Sequence, residues 1–398
     1  MRTALLTLTL LASSAAAYSQ NLAIVGAKVY ASPDAQAVTG VTILIQNAKI
    51  AAVGKDVPVP AGTQTLDCPD CVVFAGFWNN HVHFTEDKWA DAAHQPASKL
   101  TGQLQQMLTL SGFTTVVDTG SDPRNTPVLR RRIESGEVGG PHIYTAGTPL
   151  YPPHGIPYYL GDLPPEIRAL MPQPATPAEA AAAVQQNIAF GSDIVKLFTG
   201  SYVARGHVLP MPLEVAQSAV QAGHQHGQLV FAHPSNLEGV RVAMQSGVDV
   251  LAHAPDTVQG VDDALIRELV AHHMAMIPTL KLFSGDPDIA AIRAIVAKFH
   301  QFGGPLLFGT DTGFVTDYNL TEEYRQLALS GLSFRDFLRM LTTAPAERFH
   351  VSDRKGRIAV GQEADLTVLS ADPAAGDLTA FTRVRYTIRA GHIIASSK

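Results

Sequence analysis

The rhythm of apolar positions along this chain changes near residue 72. Before it, short apolar runs ("LAIVGAKVY", "VTILIQNAKIAAVG", then "TQTLDC") are broken by Gly, Pro and Asn, the punctuation of short strands and turns. From Val72 onward, short runs that are apolar throughout alternate with longer stretches of helical period. The pattern predicts strands at 72–79, 114–119, 142–147, 193–198, 229–232, 248–252, 274–279 and 305–309. Helices are expected between them, such as 98–111, 177–190, 212–226, 262–272 and 288–302, and three more follow around 321–330, 333–341 and 344–349. Strands without a polar face are buried on both sides. Eight alternating β/α units therefore predict a parallel sheet closed as a (β/α)8 TIM barrel. A doubly wound open sheet is the competing arrangement. After residue 355 the short-strand rhythm returns in "GRIAVGQEADLTVLSADP" and "VRYTIRAGHII". The expected organisation is a barrel over 71–354 flanked by a small β-sandwich domain built from both chain ends, 20–70 and 355–398.

Composition narrows this. At 398 residues, 46% hydrophobic and 16% charged, the chain has material for a large core. A net charge of -6 without a Lys/Arg run argues against nucleic acid as a partner. The first residues, "MRTALLTLTLLASSAAAYSQ", have a basic start at Arg2, an apolar run from Ala4 to Ala12, and small residues at Ala15 and Ala17. That is the form of a secretory signal peptide over residues 1–19, cut after Ala17 or after Ser19. The run is too short to span a bilayer, so the mature protein is expected to be exported, periplasmic or secreted, with no membrane anchor. The two cysteines, Cys68 and Cys71 in "DCPDC", precede a strand rather than a helix. A local disulfide and a pair of free thiols both remain open.

The chemistry-bearing residues recur at the ends of the expected strands, where a parallel barrel builds its active site. His81 and His83 in "GFWNNHVHF" stand at i and i+2 of a strand, so both imidazoles face one side. His233 ends "VFAHPS", His253 ends "VLAHAP", and Asp311 follows "LLFG". Lys196 stands among apolar neighbours in "DIVKLF". Imidazole and carboxylate suit a metal ion. Each residue also has an ordinary reading. His233 and His253 fit core histidines donating to carbonyls, and Asp311 fits a helix N-cap. A buried lysine needs neutralisation: an ion pair with Asp193 or Asp118, or uptake of CO2 to become a carbamate that bridges two metals. The loops 149–159 and 199–210 carry His154, Tyr158, Tyr202, Arg205 and His207. Tyr202 or Arg205 could hold a substrate carboxylate, and His154 could polarise a carbonyl.

These stretches, with "GTDTG" and the closing "APAERFHVSDRKGRIAVGQEADLTVL", resemble the amidohydrolase superfamily, in its imidazolonepropionase-like and prolidase-like branch. The resemblance spans nearly the whole mature chain. It implies two divalent metal ions, with zinc the expected choice. His81, His83 and Asp311 would hold one, His233 and His253 the other, and carbamylated Lys196 and a hydroxide would bridge them. The implied reaction is hydrolysis of a C–N bond in a small amide, dipeptide or N-acyl amino acid. The bridging hydroxide attacks the carbonyl and Asp311 serves as general base and acid. The usual Pro and Asp before the first histidine are absent: Ala75 stands in place of the Pro, with Asn79 or Asn80 near the Asp position. Two alternatives accompany this reading. One is a mononuclear deaminase or imidazolone-type cyclic amide hydrolase, disfavoured by Lys196. The other is a non-catalytic metal-binding exported protein, which would be expected to have lost a ligand. The natural substrate, and whether the protein is a homo-oligomer, stay open.

Overall fold

The computed structural model describes residues 21–163 and 165–397; the expected signal segment, 1–19, lies outside them. The strands in chain order are β1 (Leu22–Val29), β2 (Val38–Gln46), β3 (Lys49–Gly54), β4 (Gln64–Asp67), β5 (Val72–Ala75), β6 (Phe77–Val82), β7 (Phe113–Asp118), β8 (His142–Thr145), β9 (Ile194–Phe198), β10 (Gly200–Ala204), β11 (His207–Pro210), β12 (Leu229–His233), β13 (Val250–Ala252), β14 (Ala275–Ile277), β15 (Leu366–Leu369), β16 (Val384–Arg389) and β17 (His392–Ser396).

Strands from the two chain ends share one mixed sheet, ordered β17-β16-β15-β5-β1-β2-β3 with β4 beside β1. They meet where β5 and β15 pair antiparallel, Val73 opposite Val368. Ile24, Ile43, Val73, Leu366 and Ile388 fill the core beneath this sheet. Cys68 and Cys71, both buried, form a disulfide across the turn from β4 to β5. Backbone bonds from Cys68 N–H to Val25 and from Lys28 N–H to Cys71 fix that turn against β1.

The strand expected over 72–79 is two strands. The chain leaves the mixed sheet at Gly76, whose N–H donates to Asp365 O at 2.7 Å. A side chain there would put Cβ 2.2 Å from Thr114 Oγ1, so only glycine lets the two sheets meet this closely. Beyond Gly76 the sheets are parallel and apolar: β6-β7-β8, and β9-β12-β13-β14 in that spatial order. Asp193 N–H donates to Thr145 O at 2.8 Å between β8 and the start of β9, and Leu150, in the loop after β8, accepts from Phe198 N–H and donates to Lys196 O, each at 2.9 Å.

The eighth expected strand, 305–309, forms no regular strand. It lies between β14 and β6, bonded to Met276 on one side and through Phe308 O to Asn80 N–H on the other. Pro305 has no N–H, and the Phe308 N–H turns to Met340 O, so a continuous ladder cannot form. Helices follow the strands on the outside. Those at Pro177–Phe190, Leu237–Ser246 and Asp263–Ala271 are capped by Thr176, Asn236 and Asp262, each accepting from the third residue on. Among the described residues no helix is long and apolar enough to cross a membrane.

One buried carboxylate holds the turn after β14. Glu323, in the helix Thr321–Leu329, accepts from Leu280 N–H at 3.1 Å and Lys281 N–H at 2.6 Å. Burial pushes its carboxyl up to about 7, against a usual 4.5. A raised pKa means that the folded protein keeps a proton the unfolded chain has lost. The stability this contributes is complete below about 4.5 and lost as pH rises through about 7. Urea denaturation of the wild type and Glu323→Gln should show their stability difference shifting by about 3 kcal/mol between those limits. Parallel pH profiles would show that Glu323 does not titrate in this window.

Candidate metal centre

β6 delivers the first pair of imidazoles. Asn79, His81 and His83 share one face, and the Asn79 side chain accepts from His81 N–H at 3.2 Å while donating to Thr310 Oγ1 at 2.7 Å. The "GTDTG" segment then zips against this strand end: Asp311 N–H donates to His81 O at 2.9 Å and His83 N–H to Thr312 O at 2.7 Å. Asp311 takes a left-handed backbone, φ 57°, which swings its carboxylate under the two rings. It caps no helix; its carbonyl closes a turn by accepting from Val315 N–H at 2.8 Å. Left-handed non-glycine residues cost free energy and gather at functional sites. Thr279 (φ 47°) and Ser235 (φ 55°), at two more strand ends, belong to the same group.

His81 Nε2 and His83 Nε2 lie 3.1 and 3.0 Å from Asp311 Oδ1 and 3.3 Å from each other. Asp311 Oδ1 is nonetheless buried without a properly directed hydrogen bond. Three donor atoms thus stand at nearly equal spacing from one another. Ligands about 2.0–2.1 Å from a tetrahedral metal stand roughly 3.3 Å apart, so this donor set fits a metal ion. His81, His253 and Asp311 form a buried group whose ligand atoms all lie within 4.8 Å of one another.

The outer nitrogens show how the rings are held. His83 Nδ1 meets Gly120 O at 2.7 Å and His253 Nδ1 meets Thr279 Oγ1 at 2.6 Å, which leaves both Nε2 atoms for the centre. Neither partner was singled out from the sequence. The only trace of Thr279 there is a polar residue ending an apolar strand. His233 stacks on Phe198, centroids 4.7 Å apart, and its ring lies 4.7 Å from that of His253.

Lys196 is buried in β9; among the described residues its Nζ reaches Ala252 O at 3.5 Å and stands 5.7 Å from the Phe198 ring centroid. Neither carboxylate considered from the sequence reaches it. Asp193 pairs with Arg130, and Asp118 accepts from Ser121 and Thr145. Burial pushes the ammonium down to about 7, with Asp311 pulling the other way. Burial, helped by the Lys196 charge, also lowers His81 to about 3 and His233 well below its usual value; His253 is lowered too, by burial and then by His81. These imidazoles are therefore neutral near neutral pH, the form that ligates. His83 is drawn up instead, since Asp311 outweighs its burial.

The loop residues are placed less uniformly. His154 is exposed, and so is Tyr158. Arg205 and Gly206 form the exposed tip of the β10–β11 hairpin, with His207 beside them. Tyr202, on β10, reaches back to Asp256 Oδ2 at 3.0 Å and Thr257 Oγ1 at 2.6 Å.

A family model described as the amidohydrolase family matches residues 72–394. The chain belongs to the amidohydrolase family. A candidate prolidase from Bifidobacterium longum is 26% identical over 94% of this chain and 95% of its own, with a TM-score of 0.78. A Xaa-Pro dipeptidase with methionine in its active site is 23% identical over 95% and 100% of the two chains, with a TM-score of 0.79. The ochratoxinase of A. niger is 18% identical over 95% and 96%, with a TM-score of 0.74. A search of curated protein sequences finds no match. This amidohydrolase therefore has a TIM-barrel-like α/β fold and is a metal-dependent hydrolase acting on carbon–nitrogen bonds. Within the family it stands with the prolidase-like branch.

Proposed function

We propose that this amidohydrolase is an exported, binuclear enzyme that cleaves an amide or dipeptide bond in a small molecule. The observation that carries the binuclear reading is Lys196, a buried amine that among the described residues forms no ion pair, beside a converging cluster of imidazoles and one carboxylate. His81, His83 and Asp311 would hold one metal and His233 and His253 the other, with Lys196 as its carbamate supplying the shared anionic ligand. Zinc suits this donor set best. Such metals supply an acidic water and polarise the scissile carbonyl. Asp311 accepts the proton of the attacking water on its free carboxylate oxygen and returns it to the leaving nitrogen, which departs poorly unless protonated. Thr279 and the Gly120 carbonyl keep the His253 and His83 rings from turning. His154, Tyr158, Tyr202 and Arg205 border the loops through which substrate would enter, Arg205 being the candidate partner of a substrate carboxylate.

The prolidase and dipeptidase neighbours favour peptide-like substrates. The "MRTALLTLTLLASSAAA" start supports export. We further propose that segment 305–312 completes a closed eight-membered barrel over 71–354, and that the mixed sheet is the flanking domain assembled from 20–70 and 355–398. Metal content by mass spectrometry, on protein prepared with bicarbonate, tests the centre. We expect two metals per chain, falling to one or fewer in Lys196→Ala. One metal per chain, unchanged in that variant, would overturn the binuclear reading and favour a mononuclear deaminase or ring-opening enzyme.

A further inference from the structure

The chemical class of the substrate depends on what, besides the metal centre, can recognise it. Dipeptides and N-acyl amino acids share the scissile bond. They differ in that only the first carries a free, protonated amine.

Asp256 follows His253 by three residues. Its backbone N–H and that of Thr257 donate to Ser235 O at 3.2 and 3.0 Å, two residues beyond His233. The turn is thus stitched across the ends of β12 and β13, the strands that deliver His233 and His253. Tyr202, rising from β10 just past the end of β9, places its hydroxyl 3.0 Å from Asp256 Oδ2. Asp256 therefore lies at the strand ends that carry His233 and His253.

Among the described residues this carboxylate forms no ion pair; the Tyr202 hydroxyl donates to it at 3.0 Å. Burial pushes its carboxyl up to about 6, and the neighbouring carboxylate Asp286 adds to that. A partly buried, unpaired anion is costly unless a ligand completes it. An incoming ammonium would do so, with the Tyr202 hydroxyl fixing the carboxylate's orientation.

We propose that Asp256, oriented by Tyr202, is the anchor for a protonated primary amine of the substrate, so that the enzyme acts on compounds with a free amino terminus rather than on N-acylated ones. This rests on the hydrolase reading above, and a binding assay separates the two. Calorimetric titration of the metal-loaded enzyme with L-phenylalaninol and with N-acetyl-L-phenylalaninol should show the free amine binding about 10- to 100-fold more tightly. Asp256→Asn should abolish that preference while leaving the acetylated probe unchanged, and Asp256→Glu should keep part of it. Equal binding of the two probes by the wild type, or a preference that survives in Asp256→Asn, would overturn the anchor. In turnover, a dipeptide should lose the same factor in Asp256→Asn, mainly through KM. A wild type that prefers the amine in titration yet hydrolyses neither dipeptides nor N-acyl amino acids would refute the hydrolase reading and leave the anchor standing.

Discussion

Asp311→Asn is expected to lower kcat by about 1,000-fold or more while leaving the fold intact. Asparagine matches aspartate in size and keeps an oxygen facing His81 and His83, so the turn at 309–315 can persist. What it loses is the charge and the basicity. Burial alone would raise the Asp311 carboxyl, but His81 and His83 hold it well below the usual range, so the wild-type group stays ionised across the working range of pH. An amide can neither take up the water's proton nor return it to the leaving nitrogen. General acid–base contributions alone are on the order of 100- to 10,000-fold, and the amide is also a weaker ligand. Steady-state kinetics beside far-UV circular dichroism checks this. Activity within about tenfold of wild type, with metal content maintained, would remove Asp311 from proton transfer.

Gly313→Ala should cost more stability than any other single methyl added in this region. Gly313 sits at φ 106°, and a Cβ there would lie 2.0 Å from His83 O. The carbonyl cannot move away, because His83 N–H is tied to Thr312 O and its ring to Gly120 O. We expect a loss of about 3–5 kcal/mol, or no soluble protein. Gly331→Ala is the control. It too has a positive φ, 82°, but nothing lies within 4 Å of its added Cβ, so it should cost only about 1–2 kcal/mol. Urea midpoints of the two variants compare strain plus clash with strain alone. Equal losses would show that contact with the His83 carbonyl is not what demands glycine.

The legible part of this protein was local. His-x-His spacing on a strand brings two rings to one face whatever the rest of the chain does, and the structure has them 3.3 Å apart at Nε2. The alternation of apolar runs and helical stretches likewise placed most parallel strands to within two residues, because burial on both faces leaves an unmistakable pattern. Two strands were misread for an equally physical reason. Apolar content continues through Gly76, so the break between β5 and β6 is silent in hydropathy. Segment 305–309 has the composition of a strand, but proline and a diverted amide deny it a ladder.

By itself the sequence determined the family, through the resemblance its motifs carry, and by spacing and period it determined the stretches that bear the histidines, Lys196 and Asp311 and the two-ended origin of the mixed sheet. Only the tertiary structure decided who meets whom. It assigned Asp193 to Arg130 and Asp118 to Ser121 and Thr145, so that neither pairs with Lys196. It closed Cys68 onto Cys71, set Thr279 behind His253, and turned Tyr202 onto Asp256. Most of these partners lie tens of residues apart and come together only when every strand has taken its register. Local pattern fixes where a side chain starts, and the closed packing around it fixes where its atoms end.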